Sequence, residues 1–282
     1  MSKPTRLPVL FIHGLWLHPD SWQPWQDRFA VAGYDTLAPG WPGVAATVAE
    51  TRAHPERLAD VTINQAAEHY AGIIAGLPVR PVVIGHSFGG LLALKLLDHQ
   101  LAAAVVAIDP VPIQGVLRLP PRQLRATWPA LGRPWRRHQA LSLSPGQFTY
   151  AFANRLTGVE SADLYRTAVI PAPTRPFWQA AVANWMLRAE TKVDVRQPGQ
   201  PLLLMAGGQD HAVPASTTRA LWRRYRRPMS ATDLKQWPDR GHSLVIDDGW
   251  SELADYTLEW LRTQGLTAEA VAPARHVRAE KR

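Results

Sequence analysis

Three polar residues stand where chemistry could use them. Ser87 lies in VVIGHSFGGLLAL, Asp210 in PLLLMAGGQDHAVP and His242 in WPDRGHSL. A serine hydroxyl alone is a weak nucleophile. It needs an imidazole to take its proton and a carboxylate to orient that imidazole. Val82, Val83 and Ile84, before the serine, read as a buried strand; Leu91, Leu92, Leu94, Leu96 and Leu97, after it, recur at helical spacing. Strand, Gly-x-Ser-x-Gly and helix together describe a nucleophile elbow. Such a turn needs small neighbours, here Gly85 and Gly89, and it lifts the hydroxyl clear of the sheet edge. The helix that starts there aims unpaired N–H groups and a partial positive charge at the same point.

The acid and the base come from later in the chain. Asp210 falls just past an apolar strand, and His242 falls on a loop past another. Asp109, at the end of VVAIDPVP, is the rival acid. Asp239, Asp247 and Asp248 read as loop or capping carboxylates, and His86 and His211 as packing or hydrogen-bonding residues. No residues show the spacing of metal ligands, and no cofactor is expected. The negative oxygen formed on attack needs donors. The backbone N–H of Leu15, in the turn His13-Gly14-Leu15-Trp16, and that of Phe88, next to the nucleophile, are placed to supply them.

These residues must be held by a scaffold, and the apolar patterning supplies one. Strands are expected over Val9–His13, Tyr34–Leu37, Pro81–Gly85, Ala104–Ile108, Pro201–Ala206 and Ala231–Trp237. Helices are expected over Ser21–Ala32, Ile63–Leu77, Ser87–His99, Ala215–Tyr225 and Gly249–Arg262. Such alternation implies a parallel sheet covered on both faces, with reactive residues at the carboxyl ends of its strands. Between about Val111 and Pro198 the alternation stops, and the segment carries no strand signal. The division expected is a core of residues 1–111 and 198–266, a helical cap of residues 112–197, and a frayed tail of residues 267–282.

The cap supplies Trp128, Trp135, Phe148, Tyr150, Phe152, Phe177, Trp178 and Trp185. Pocket candidates are Trp16, Trp41, Phe148, Phe152, Trp178 and Trp185. Trp41 could face the pocket, but an aromatic in a Pro/Gly turn such as APGWPG is more often a packing plug.

Composition narrows the rest. The 282 residues are 46% hydrophobic, contain no cysteine and carry a net charge of +8. A disulfide, a thiol nucleophile and a thiolate metal site are excluded. Arg219, Arg223, Arg224, Arg226 and Arg227 cluster on an expected helix and read as a solvated face, with no nucleic-acid motif beside them. The expected partner is a small-molecule substrate, without nucleic acid or membrane. The opening MSKPTRLPVLFIHG leaves no room for a leader, so no signal peptide and a cytoplasmic location are expected.

FIHGLW, GHSFGG, GGQD and GHSL resemble the α/β-hydrolase superfamily, with matching element order from about Val9 to Leu261. The resemblance implies an α/β fold with a mostly parallel eight-stranded sheet flanked by helices and a helical cap inserted after strand 6. It implies Ser87 as nucleophile, His242 as base, Asp210 as acid, and Leu15 and Phe88 as oxyanion donors. Dehalogenases and epoxide hydrolases of this fold use an aspartate nucleophile, against which serine at 87 argues. APGWPG departs from the Arg-Gly-x-Gly turn of many relatives and leaves the subfamily open. The implied activity is hydrolysis of small to medium hydrophobic or aromatic carboxylic esters through an acyl-enzyme. The same triad serves thioesterases, lactonases, C–C hydrolases, perhydrolases, cofactor-free dioxygenases and hydroxynitrile lyases, and a small-molecule receptor could retain it.

Overall fold

Strands β1 (Pro8–Ile12), β2 (Asp35–Leu37), β3 (Val82–His86) and β4 (Ala104–Ile108) open the chain, with helices α1 (Gln23–Val31), α2 (Val48–Ala53), α3 (Ile63–Ala75) and α4 (Phe88–Asp98) between them. The computed structural model describes residues 6–116, 120–196, 200–225 and 231–268. After β4 come α5 (Pro121–Leu131), β5 (Ala140–Leu141), α6 (Pro145–Ala151), α7 (Gly158–Ala168), β6 (Ala172–Pro173) and α8 (Arg175–Val182). The chain then returns through β7 (Leu202–Gly207), α9 (Ala215–Tyr225), β8 (Thr232–Trp237) and α10 (Trp250–Thr263). Each strand of the main sheet lies within one residue of its expected bounds.

The main sheet has six strands in the order β2-β1-β3-β4-β7-β8, and every pairing is parallel. Strands buried on both faces should be continuously apolar, as PVLFI, AVVAI and LLLMAG are. Period-two alternation splits them between two cores. Leu10, Ile12, Val83, Val105 and Leu204 face a core completed by Ile63 and Tyr70 of α3, Leu91 and Leu92 of α4 and Leu221 of α9. Val9, Phe11, Val82, Val106 and Leu203 face the other, closed by Trp25 and Phe29 of α1 and by Leu253 and Leu261 of α10.

The resemblance implied eight strands in one sheet, with the insertion after the sixth. The structure has six in the main sheet, with the insertion after the fourth, and no strand precedes β1 among the described residues. The remaining two, β5 and β6, form a separate antiparallel ribbon inside the segment expected to be strandless. Two-residue strands carry almost no sequence signal, and Pro173 has no N–H to extend the ladder. The tail expected to fray lies almost wholly outside the described residues, as do Arg226 and Arg227; Arg219, Arg223 and Arg224 are exposed on α9. Among the described residues no helix is long and apolar enough to cross a membrane.

Candidate active site

Strand order reverses between β1 and β3: the chain leaves β1 toward β2 on one side and builds β3, β4, β7 and β8 on the other. A crevice opens at the carboxyl ends of strands flanking such a reversal. The Gly14–Trp16 turn follows β1 there, and Ser87 follows β3.

Ser87 has φ 57° and ψ −120°, a conformation that L-residues rarely adopt. The strand before it and the helix after it over-determine this geometry. A Cβ on Gly85 would stand 2.1 Å from the carbonyl oxygen of Gly89, and one on Gly89 would stand 2.1 Å from that of Ile12. Strand and helix therefore cross closer than any side chain permits. Ser87 N–H donates to the Ile108 carbonyl at 2.9 Å, and the Ser87 carbonyl accepts from Leu91 and Val111. The backbone is thus pinned on both sides of the strained residue. Phe88 is the first residue of α4, where the N–H has no intrahelical acceptor.

His242 follows β8 and is fully buried. Its Nδ1 lies 2.6 Å from Asp210 Oδ2. The other Asp210 oxygen accepts from the Ala212 and Val213 N–H groups at 2.6 and 2.9 Å, so a backbone turn fixes the carboxylate. With Nδ1–H donated to Asp210, Nε2 of His242 carries the lone pair. That atom is buried and has no hydrogen-bond partner among the described residues. Phe152 packs its ring edge against the imidazole, with centroids 4.7 Å apart, and its carbonyl accepts from Ser243 N–H.

Asp109 lies behind this pair and is fully buried. Its Oδ1 accepts from Gly207 N–H at 2.9 Å. Burial first, then the negative charge of Asp210, raise the pKa of its carboxyl well above the usual range and favour its neutral form. Its Oδ2 finds no donor, but a proton on that oxygen turns it into a donor toward Asp210. The acid bonded to His242 is thus Asp210, and Asp109 supports it. His86 is buried with its ring centroid 4.5 Å from that of His242. Burial, then the neighbouring His242, push its pKa well below the ordinary histidine range. His86, Asp109 and His242 each bring a possible metal-ligating atom within 4.8 Å of the others. Sequence spacing gave no sign of this cluster, because its members come from three strand ends.

His13 is also neutral, pushed down to about 4 by burial. Its Nδ1 bonds the Gly14 carbonyl at 2.8 Å, and its Nε2 accepts from Trp41 N–H at 3.2 Å. Trp41 Nε1 donates in turn to the His13 carbonyl at 3.0 Å. Trp41 is therefore a buried clamp on the turn that carries Leu15, not a wall of the pocket.

Ser87, Phe88, Leu15 and His242 all line one cavity of about 160 Å³. Its other walls are Trp16, Val111, Pro112, Ala151, Phe152, Phe177, Ala212 and Val213, with Gln123, Leu124, Ala126, Thr127 and Leu131 of α5 and Ala180 and Ala181 of α8. Trp16 and Phe152 were foreseen as wall residues. Phe148 instead stacks behind Phe152 with centroids 5.4 Å apart, Trp178 is half-buried off the cavity, and Trp185 is exposed. Phe148 lies one helical turn before Phe152 and so behind it, Trp178 is one position past the inward-facing Phe177 of α8 and points elsewhere, and Trp185 lies past the end of α8. Phe177 was named among the cap aromatics but not as wall, and the small residues of α5 and α8 gave no signal. Asp247 pairs with Arg240, Asp239 and Asp248 are exposed, and His211 bonds the Tyr150 carbonyl, all as expected.

A strained serine and a carboxylate-held imidazole lie at the carboxyl edge of a parallel sheet flanked by helices, an architecture of the α/β type. The family model described as the alpha/beta hydrolase family matches residues 9–256, and the chain belongs to that family. Comparison with curated proteins gives no match in sequence. Among solved structures it is similar to a monoacylglycerol lipase from Paleococcus ferrophilus, at 20% identity and TM-score 0.64 over 93% of this chain and 96% of that one. It is similar to a thermophilic esterase from Thermogutta terrifontis, at 19% identity and TM-score 0.62 over 93% and 92%. It is also similar to BpoC of Mycobacterium tuberculosis, provisionally described as a non-heme bromoperoxidase, at 21% identity and TM-score 0.66 over 93% and 94%. At such identities the likeness establishes the fold alone.

Proposed function

We propose that the chain is a serine hydrolase that cleaves carboxylic esters of small to medium hydrophobic or aromatic groups through an acyl-enzyme. The observation that carries this reading is the 2.6 Å contact of His242 Nδ1 with Asp210 on the wall of the cavity that also holds Ser87. The free Nε2 takes the proton of Ser87 as its oxygen attacks the acyl carbon, and Asp210 stabilises the imidazolium. The Leu15 and Phe88 N–H groups receive the oxyanion. The protonated His242 returns the proton to the leaving alcohol. A water, deprotonated by the same Nε2, then releases the acid and frees Ser87.

The cavity supports the substrate class. Its wall is almost wholly apolar, and its volume is about 160 Å³. We propose that residues 112–197 act as the cap, since α5 and α8 supply one side of the wall. A panel of nitrophenyl esters of rising acyl length tests the reading. Hydrolysis best at short to medium length, and lost in Ser87→Ala, is expected. Best activity on a long-chain triglyceride emulsion, or a Ser87→Ala variant as active as the parent, would overturn it.

A further inference from the structure

Charge and exposed apolar surface are segregated in this chain. Residues 112–197 hold twelve Lys and Arg against four Asp and Glu, a balance of +8 that equals the balance of the whole chain. Eight of the nine large apolar side chains exposed among the described residues lie in the same segment; Val31 is the other.

Helix α5 is amphipathic in the reverse sense to a globular helix. Gln123, Ala126 and Ala130 face inward, while Leu124 and Trp128 face out at 47% and 68% exposure. Arg122 and Arg125 are exposed on the same helix. Past α8 the chain exposes Val182, Trp185, Met186 and Leu187 and ends the run with exposed Arg188. Trp135 stands out at 73%. Arginines of the segment that pair with carboxylates are Arg166, Arg175 and Arg196. Among the described residues, exposed Arg122, Arg133 and Arg188 have no such partner.

We infer that this face docks onto an anionic lipid surface, with its tryptophans at headgroup depth and its arginines on lipid phosphates. Trp and Arg together are the residues that settle at such a boundary. A second copy of this chain would bring the exposed Arg122, Arg133 and Arg188 against the same arginines, so charge opposes self-association there. A nucleic acid would match the arginines but would leave Val182, Met186 and Leu187 without apolar partners. Such docking departs from the expectation of no membrane partner; among the described residues no helix can cross a membrane, and a peripheral contact needs none. Leu124 is exposed and also lines the cavity, so the docking face adjoins the route to Ser87. The docking itself does not depend on the hydrolase reading.

Co-sedimentation of the full chain with vesicles tests it. One set is phosphatidylcholine alone and the other an equimolar mixture with phosphatidylglycerol. Binding to the mixed vesicles should be at least about tenfold tighter, should fall with added salt, and should move tryptophan emission to the blue. Trp128→Ser with Trp135→Ser and Trp185→Ser should weaken it at least about tenfold with an unchanged melting curve. Should that variant fail to fold, Arg122→Gln with Arg133→Gln and Arg188→Gln should weaken it likewise and flatten the salt dependence. Ser87→Ala should bind as the parent does, which separates docking from catalysis. Equal binding to neutral vesicles, parental binding by the folded variants, preference for duplex DNA over the mixed vesicles, or a dimer that buries these tryptophans would each overturn the inference.

Discussion

Asp210 Oδ2 lies 2.6 Å from Nδ1 of His242, and neither side chain reaches solvent. The carboxylate dictates which ring nitrogen carries the proton, and so which one is free to act as a base. Asp210→Asn keeps the volume but can present an amide N–H to Nδ1, which favours the wrong tautomer. Its kcat on a nitrophenyl butyrate should fall by about 10³- to 10⁴-fold with little change in KM. Steady-state kinetics read this; a loss below tenfold would remove Asp210 from the acid role.

Asp109 should behave differently. An amide at that position can still accept from Gly207 N–H and donate to Asp210, so Asp109→Asn should keep kcat within a few-fold. Asp109→Leu leaves the buried Gly207 N–H without an acceptor and removes the donor that supports Asp210, and should cost activity and about 1–3 kcal/mol of stability. Because folding raises the Asp109 pKa above its ordinary value of 3.8, the stability it contributes is complete below that pH. It is lost progressively as pH rises toward the folded value. Chemical denaturation across pH should therefore show a smaller decline toward high pH in Asp109→Asn than in the parent.

His13 titrates with the opposite sense. Its folded pKa of about 4 lies below the ordinary 6.5, so the stability it contributes is present above pH 6.5 and lost as pH falls toward 4. The loss is on the order of 3 kcal/mol. Protonation puts a hydrogen on Nε2, which must accept from Trp41 N–H, so the Leu15 turn should loosen with it. Denaturation midpoints of the parent at pH 7 and 4.5 should differ more than those of His13→Gln.

The elbow holds strain that glycine would not feel. At φ 57°, Ser87→Gly should be more stable than Ser87→Ala by about 1 kcal/mol, while both lose activity by at least about 10⁴-fold. Thermal melts of the two variants compare them directly. An alanine variant as stable as the glycine would show the backbone to be relaxed.

The cavity wall sets the size limit. Ala181, on α8, contributes almost no bulk to it. Ala181→Phe should lower kcat/KM for a nitrophenyl hexanoate by about tenfold while sparing the acetate, because only the longer chain needs the volume that the ring would fill.

Much of this was legible in the sequence, and the reason is local. β1, β3, β4 and β7 show as apolar runs because they are buried on both faces, whereas the edge strands β2 and β8 are partly exposed and mixed; the serine turn shows because strand, small residues and helix are contiguous. Asp210 and His242 could be placed because each closely follows a strand that ends at the same sheet edge. The pocket was less legible. Trp16 and Phe152 reach it, but Trp41 went to a clamp on His13, Phe148 to a layer behind the wall, and Trp185 to the surface. Those outcomes depend on how α5, α6 and α8 pack, which no local pattern encodes. The support of Asp210 by Asp109 joins the ends of β4 and β7, residues far apart in the chain, and shows only in three dimensions.

A fluorophosphonate probe followed by peptide mass spectrometry tests the central claim most directly, because it reads an activated hydroxyl without presuming a substrate. A single adduct on Ser87 is expected, forming at least about 10²-fold more slowly in Asp210→Asn and absent in Ser87→Ala. Folded protein that stays unlabelled, or that carries the adduct on another residue, would contradict an activated serine at the end of β3.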